Sequence, residues 1–172
     1  LSLVLRRKGI KAEKIEPSVT FIISAYNEEK VIGEKIRNTL ALDYPKDKLE
    51  IIVVSDCSTD RTDEIVRGFA KEGVVLLRLN ERRGKTYGLN RAMERAEGEI
   101  VVFSDANAMY HPEAVKKLVS NFNDKSVGVV SGGVILKGGH ESLKHFESLY
   151  SKYEWFIQRK ESEFNSMLSA DG

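Results

Sequence analysis

From Pro17 onward, short continuous apolar runs alternate with longer stretches whose apolar residues recur every three or four positions. "VTFIIS" (19–24), "EIIVVS" (50–55), "VVLLRL" (74–79) and "IVVFS" (100–104) are unbroken apolar runs, which predicts buried strands. Between them the period changes to that of a helix. Residues 28–41 place Ile32, Ile36 and Leu40 on one face, with Asn27 as the expected N-cap. Residues 61–71 do the same with Ile65, Val66 and Phe69, and residues 86–96 with Leu89, Ala92, Met93 and Ala96. The stretch "HPEAVKKLVSNF" (111–122) reads as a fourth helix with Pro112 in its first turn, where proline is best tolerated. Two further strands are expected at "VGVVSG" (127–132) and "VILK" (134–137). A long helix is expected over 141–168, striped with Leu143, Phe146, Leu149, Tyr153, Phe156 and Ile157. Four strand–helix units in succession predict an α/β fold with a mainly parallel sheet.

In such sheets ligands bind beyond the carboxyl ends of the strands, so the residues after each strand are the candidates for chemistry. They are "SAYNEE" after the first strand, "DCSTD" after the second, "NERRGKTYG" after the third and "DANAMY" after the fourth. Two of these begin with Asp, and a carboxylate beside an apolar sheet needs a partner or a cation. The bland reading of Asp56 and Asp105 is that each caps the helix that follows it. Tyr26 offers a ring face. Asp56 can accept from the imide N–H of a uracil-like base. Arg83 and Lys85, flanking Gly84, can offset phosphate charge. Asp105 and Asn107, two apart, put two oxygens on one side of a turn, and oxygen ligands suit Mg²⁺ or Mn²⁺ bridging to phosphates. The order along the edge is therefore base, phosphate and metal.

Other chemistries fail on the same residues. The first turn has no glycine, which excludes a G-x-G-x-x-G dinucleotide site, and Leu79 stands where a P-loop ending in "GKT" needs glycine. No G-x-S-x-G elbow is present. His111, His140 and His145 show no zinc spacing with each other or with Cys57.

Composition changes the picture little. The chain has 172 residues, 41% hydrophobic and 31% charged, which suits one domain with a sizeable core. A net charge of +1 gives no reason to expect nucleic-acid binding. The single cysteine, Cys57, excludes an intrachain disulfide and fits a reducing compartment. The start, "LSLVLRRKGIKAEK", is an apolar stub followed by Arg6, Arg7, Lys8, Lys11 and Lys14. It reads either as the tail of a membrane helix with basic residues on the cytoplasmic side or as a frayed helix with a solvated basic face. Residues 1–16 are accordingly set apart as an N-terminal basic, juxtamembrane segment. The chain opens on Leu1 and stops in "SADG", so a longer natural chain is expected.

Four blocks in this order, "VTFIISAYNEEKVIGEKIRNTL", "EIIVVSDCSTDRT", "RGKTYGLNRAM" and "GEIVVFSDANAMYHPEAV", resemble the family 2 glycosyltransferases with the GT-A fold, inverting enzymes that include cellulose, chitin and hyaluronan synthases. The resemblance runs from about Pro17 to Gly172. It implies a three-layer α/β/α GT-A (nucleotide-diphospho-sugar transferase) domain over 17–172, incomplete at its C-terminal end. It implies transfer of a sugar from a UDP-sugar donor to a hydroxyl of a carbohydrate or lipid-linked acceptor, with Mg²⁺ or Mn²⁺ as cofactor. Ala25, Tyr26 and Glu28 would line the nucleotide pocket, Asp56 would contact the base and Lys85 would lie near the diphosphate. Asp105 and Asn107 occupy the D-x-D position as nucleotide-sugar and metal ligands, with Asn107 a neutral departure from the usual second acid. "DAN" occurs among membrane-bound members, which points to the cytoplasmic face of the cell membrane for the full-length protein and to a soluble fragment here. The family's catalytic base follows the segment matching "ADG" and is expected beyond Gly172. Without it the fragment is expected to bind donor and to transfer sugar poorly or not at all. The alternative reading is a nucleotide-sugar-binding module without turnover.

Overall fold

The computed structural model describes residues 15–132. The expected strands at 134–137, the helix over 141–168 and the basic segment up to residue 14 lie outside the described residues. Strand β1 runs Val19–Ala25, β2 Leu49–Ser55, β3 Val74–Arg78 and β4 Ile100–Asp105, each within a residue or two of its apolar run. Helix α1 spans Ile32–Leu40, α2 Thr62–Arg67, α3 Lys85–Met93 and α4 Ala114–Val119, and short 3₁₀ turns follow α2 and α4.

The four strands form one sheet in the order β3-β2-β1-β4, with all three pairings parallel. Chain order runs outward from β1 to β3 and then returns to the other side of β1, so the gap between β1 and β4 is the topological switch point. The strand faces alternate as a pleated strand requires. Phe21, Ile23, Ile51 and Val53 face a core completed by Ile32 and Ile36 of α1, Val66 of α2, and Val115 and Val119 of α4. Ile22, Ile52, Val54 and Leu77 face the opposite way, against Ala92 and Leu89 of α3. Helices on both faces of a parallel sheet make the three-layer α/β/α arrangement.

Several boundaries differ from the sequence reading, each for a local reason. Asn27 is not the cap of α1: it adopts a left-handed backbone (φ 54°), and its side-chain oxygen accepts from the Thr59 N–H of the neighbouring loop at 2.8 Å. The helix begins four residues later than expected, after a turn in which the Glu28 carbonyl accepts from the N–H groups of Val31 and Ile32. Helix α2 stops at Arg67, before Gly68, and the following 3₁₀ turn ends at Gly73, whose φ of 84° suits a glycine. Pro112 sits in the turn ahead of α4 instead of inside it. Residues 127–132 are not a strand. The Val127 N–H turns back to the Asp124 carbonyl and Val129 is exposed, so this run makes no ladder with the described sheet.

At the amino ends of the strands the sheet edge is closed by backbone. The Gly98 N–H donates to Thr20 Oγ1, whose hydroxyl donates to Glu50, and Glu50 also accepts from the Glu97 N–H. The carboxyl ends are left open, and the candidate residues stand there.

Candidate functional site at the carboxyl edge of the sheet

Register decides which residues meet. Ala25 pairs with Ser55, and Ser24 pairs with Asp105. The loops after β1, β2 and β4 therefore leave the sheet side by side. The first two are tied together by a dense set of hydrogen bonds. The Asn27 N–H donates to Ser58 Oγ at 3.1 Å, the Glu28 N–H to Thr62 Oγ1 at 2.8 Å and the Glu29 N–H to Asp60 Oδ2 at 3.0 Å. In return Glu29 accepts from the Arg61 N–H. Both loops carry a non-glycine residue with positive φ, Asn27 and Cys57 (φ 60°). Such strain persists only where surrounding structure holds it, and here the cross-loop bonds do so.

Asp56 is buried, 8% exposed. Its own N–H donates to the Ala25 carbonyl at 3.0 Å. Its carboxylate accepts from the Arg83 N–H at 2.8 Å and the Gly84 N–H at 2.9 Å. Asp56 therefore does not cap the helix next to it in sequence; it ties down the turn that leads into α3, which starts at Lys85. Gly84 makes the turn with φ 87°. The next residue, Lys85, reaches the other acid: its Nζ lies 2.8 Å from Asp105 Oδ1. The same oxygen accepts from Ser24 Oγ at 3.0 Å. Adjacent residues of one loop therefore touch both Asp56 and Asp105, which places the two acids on one rim across the switch point.

The Asp105 carboxyl is pushed up by partial burial, but the hydrogen bonds from Lys85 and Ser24 and the charges of Lys85 and Lys35 outweigh that and hold it below the ordinary range. Ala106 turns inward (2% exposed), whereas Asn107 is exposed. Asp105 and Asn107 supply two oxygen-bearing groups two residues apart, the kind a hard divalent cation takes. Among the described residues no group of three His, Cys, Asp or Glu could hold a metal ion. A cation held by these two groups alone would need further ligands from outside these side chains.

Tyr26 stands at the rim, half-exposed, with the Arg82 guanidinium 4.0 Å from its ring centroid. Arg83 pairs with Glu81 and lies 5.1 Å from the Tyr87 ring centroid. Three cationic side chains, Arg82, Arg83 and Lys85, thus follow β3 in the loop that touches both acids.

The glycosyl transferase family 2 profile matches residues 20–170, nearly the whole chain. The chain belongs to glycosyl transferase family 2. Family members similar to it include a probable glycosyltransferase, YdaM, of Bacillus subtilis, 38% identical over 150 residues that cover 83% of this chain and 36% of that protein. The poly-beta-1,6-N-acetyl-D-glucosamine synthase of Staphylococcus aureus is 28% identical over 160 residues, covering 91% of this chain and 38% of that one. The chain thus spans little more than a third of the length of these curated relatives. Among solved structures, mannosyltransferase PcManGT of Pyrobaculum calidifontis, in complex with GDP-Man and Mn²⁺, superposes with a TM-score of 0.66 at 42% identity, covering 68% of this chain and 35% of that one. S. aureus TarS (residues 1–349) in complex with UDP-GlcNAc superposes with a TM-score of 0.58 at 31% identity, covering 73% of this chain and 37% of that one. These neighbours are GT-A transferases, and the three-layer α/β/α arrangement is the fold the sequence resemblance implied.

Of the residues singled out from sequence in this glycosyltransferase chain, Ala25, Tyr26, Asp56, Lys85, Asp105 and Asn107 all stand at the carboxyl edge. Glu28 is less direct: its backbone makes the contacts just described, and its side chain is only partly exposed. Asp171, in the "ADG" segment, lies outside the described residues, as do His140 and His145. Sequence reasoning missed Ser24, Asn38, Arg82 and above all Lys35, which is 0% exposed. A signal was present. Lys35 lies three residues after Ile32 and one before Ile36, inside the apolar stripe of α1. No helix among the described residues is long and apolar enough to cross a membrane.

Proposed function

We propose that the intact protein is an inverting glycosyltransferase that moves a sugar from a UDP-sugar to an acceptor hydroxyl in polysaccharide or glycolipid synthesis, and that this chain carries its donor site. The observation that carries the reading is the Gly84–Lys85 pair, whose adjacent residues touch Asp56 and Asp105 across the switch point. In this reading the base lies against Ala25, Tyr26 and Glu28. Asp56, already aimed by two backbone amides, accepts the base N–H with its remaining lone pairs. Arg83 and Lys85 face the diphosphate. Asp105 and Asn107 are the residues that would hold Mg²⁺ or Mn²⁺. That cation, when bound, offsets the charge of the leaving nucleoside diphosphate. The acceptor oxygen bonds to the anomeric carbon from the face opposite the leaving group as the carbon–oxygen bond to the diphosphate breaks. The acceptor's proton goes to a base expected beyond Gly172. The complexes of TarS with UDP-GlcNAc and of PcManGT with GDP-Man and Mn²⁺ support a nucleotide-sugar donor and a divalent cation.

A guanosine donor is the second reading, favoured by the 42% identity to PcManGT in its GDP-Man complex. Calorimetry with UDP, GDP and ADP, each with and without Mn²⁺, separates the two. UDP is expected to bind most tightly, with metal dependence, and to be weakened by Asp56→Ala and by Asp105→Ala. GDP binding most tightly would replace the uridine assignment by guanosine, and equal binding of all three would remove the base assignment altogether. Attachment at the cytoplasmic face of the membrane is proposed for the full-length protein from its basic start. Fractionating cells that express it with its natural flanks tests this, and a wholly soluble product ends it.

A further inference from the structure

Lys35 is the one lysine among the fully buried side chains of the described residues. Its ammonium lies beneath the loop that leaves β4. The Nζ donates to the Ala108 carbonyl and sits 5.0 Å from the Phe21 ring centroid and 4.3 Å from that of Tyr110. Packing does not explain this choice. Burying an ammonium is costly, and an apolar side chain of similar volume would fill the space without that cost. What an apolar side chain cannot do is hold the loop. The Ala108 N–H closes a turn back onto the Asp105 carbonyl at 3.3 Å, with Ala106 and Asn107 between them. Lys35 takes the other end of Ala108. One turn further along α1, Asn38 clamps Tyr110 from both sides: Nδ2 donates to its carbonyl at 2.9 Å and Oδ1 accepts from its N–H at 2.8 Å. Helix α1 therefore grips the turn carrying Asp105 and Asn107 at two points just beyond it.

We infer that Lys35 is a positioning residue, which through the Ala108 carbonyl fixes the Asp105–Ala108 turn in the form that receives the donor's diphosphate. The inference rests on the donor-site reading above. Lys35 also adds positive charge behind Asp105, on the side away from solvent, while Lys85 approaches Asp105 from the loop after β3. With Asn107 neutral, Asp105 is the only acid of this turn, and two lysines bear on it. That balance suits a dianionic diphosphate better than it suits a bare cation.

The test compares uridine with UDP in Mn²⁺ near pH 6, using the full chain and its Lys35→Met variant. Met fills a similar volume and removes only the ammonium. The variant is expected to unfold at or above the wild-type temperature, to bind uridine within twofold of wild type and to bind UDP about tenfold more weakly, the loss of one charged hydrogen bond. Lys35→Gln keeps a donor for Ala108 and is expected to recover part of that loss. UDP binding unchanged in Lys35→Met overturns the inference, as does an equal loss for uridine and UDP, which marks general loosening. If Lys35→Met does not fold, Lys35→Leu, which also lacks a donor for Ala108, decides by the same comparison: a loss confined to UDP supports the role, and no loss or an equal loss for uridine overturns it. A wild type that binds no nucleotide removes the donor-site reading instead, and the inference with it.

Discussion

Asp56 shows how one side chain serves folding and chemistry together. Its two acceptor contacts to Arg83 and Gly84 hold the start of α3, and the same bonds aim the carboxylate along the rim. Asp56→Ala therefore removes stability as well as the proposed base contact. A loss of about 2 kcal/mol is expected by urea unfolding, and about half of that for Asp56→Asn, which keeps one acceptor. Lys35 makes the opposite trade. Burial brings its ammonium down from 10.5 to about 7, against a smaller raising effect of Asp105. Between those values the unfolded chain binds a proton that the folded chain does not, so this residue's contribution to stability rises with pH across that window. Its penalty is fully present below about 7 and gone above 10.5. Urea midpoints of wild type and Lys35→Met are expected to differ most near pH 6, in favour of Met, and to converge towards pH 10. A pH-independent gap would contradict this account of Lys35. Such a residue is half legible in the sequence. The helical period puts position 35 on the buried face, but only the fold shows that a carbonyl waits there for it.

At the scale of elements, the apolar runs and helical periods located every described strand and α-helix to within a few residues, because burial on one or two faces is written into the local pattern. The ends were less legible. Asn27 looked like a cap because Asn commonly is one, yet its side chain was claimed by Thr59 in a loop that is distant in sequence. The run at 127–132 has strand composition, but a strand exists only with a partner, and composition does not name one. Close approaches between elements are equally invisible in one dimension. A Cβ on Gly98 would lie 2.3 Å from the Thr20 backbone nitrogen and 2.7 Å from the Val19 carbonyl carbon. Gly98→Ala is therefore expected to cost about 1–3 kcal/mol, since backbone has to move. Gly88, inside α3, would place its Cβ 2.9 Å from Val54 Cγ1, the end of a side chain. Val54 is buried and stiff at χ1, so the gain of about 1 kcal/mol in helix propensity only partly offsets the crowding, and Gly88→Ala is expected to cost less than Gly98→Ala. Denaturant midpoints of the two variants check the contrast.

For the molecule as a whole, the parallel order β3-β2-β1-β4 brings four carboxyl ends to one edge, and the reversal between β1 and β4 opens that edge where Asp105 stands. The charge beside Asp105 is already offset without a metal, since Lys85 pairs with it and Lys35 adds further positive charge where it is protonated. Nucleoside-diphosphate affinity is accordingly expected to fall, not vanish, when divalent cation is removed with a chelator. An affinity unchanged by chelation would remove Asp105 and Asn107 as metal ligands, and complete loss would show that the lysines alone hold no diphosphate.

Strand and helix types, the parallel α/β class and the residues standing at strand ends can be read along the chain, because period and apolar content are local properties that burial imposes. The partners of those residues were decided only in three dimensions. That Asp56 holds the Gly84 amide 28 residues ahead, that Gly84 and Lys85 join the two acids, and that Lys35 supports the turn between Asp105 and Ala108 all follow from strand register and sheet order. Those are non-local choices, fixed by how whole elements pack, and no window along the chain contains them.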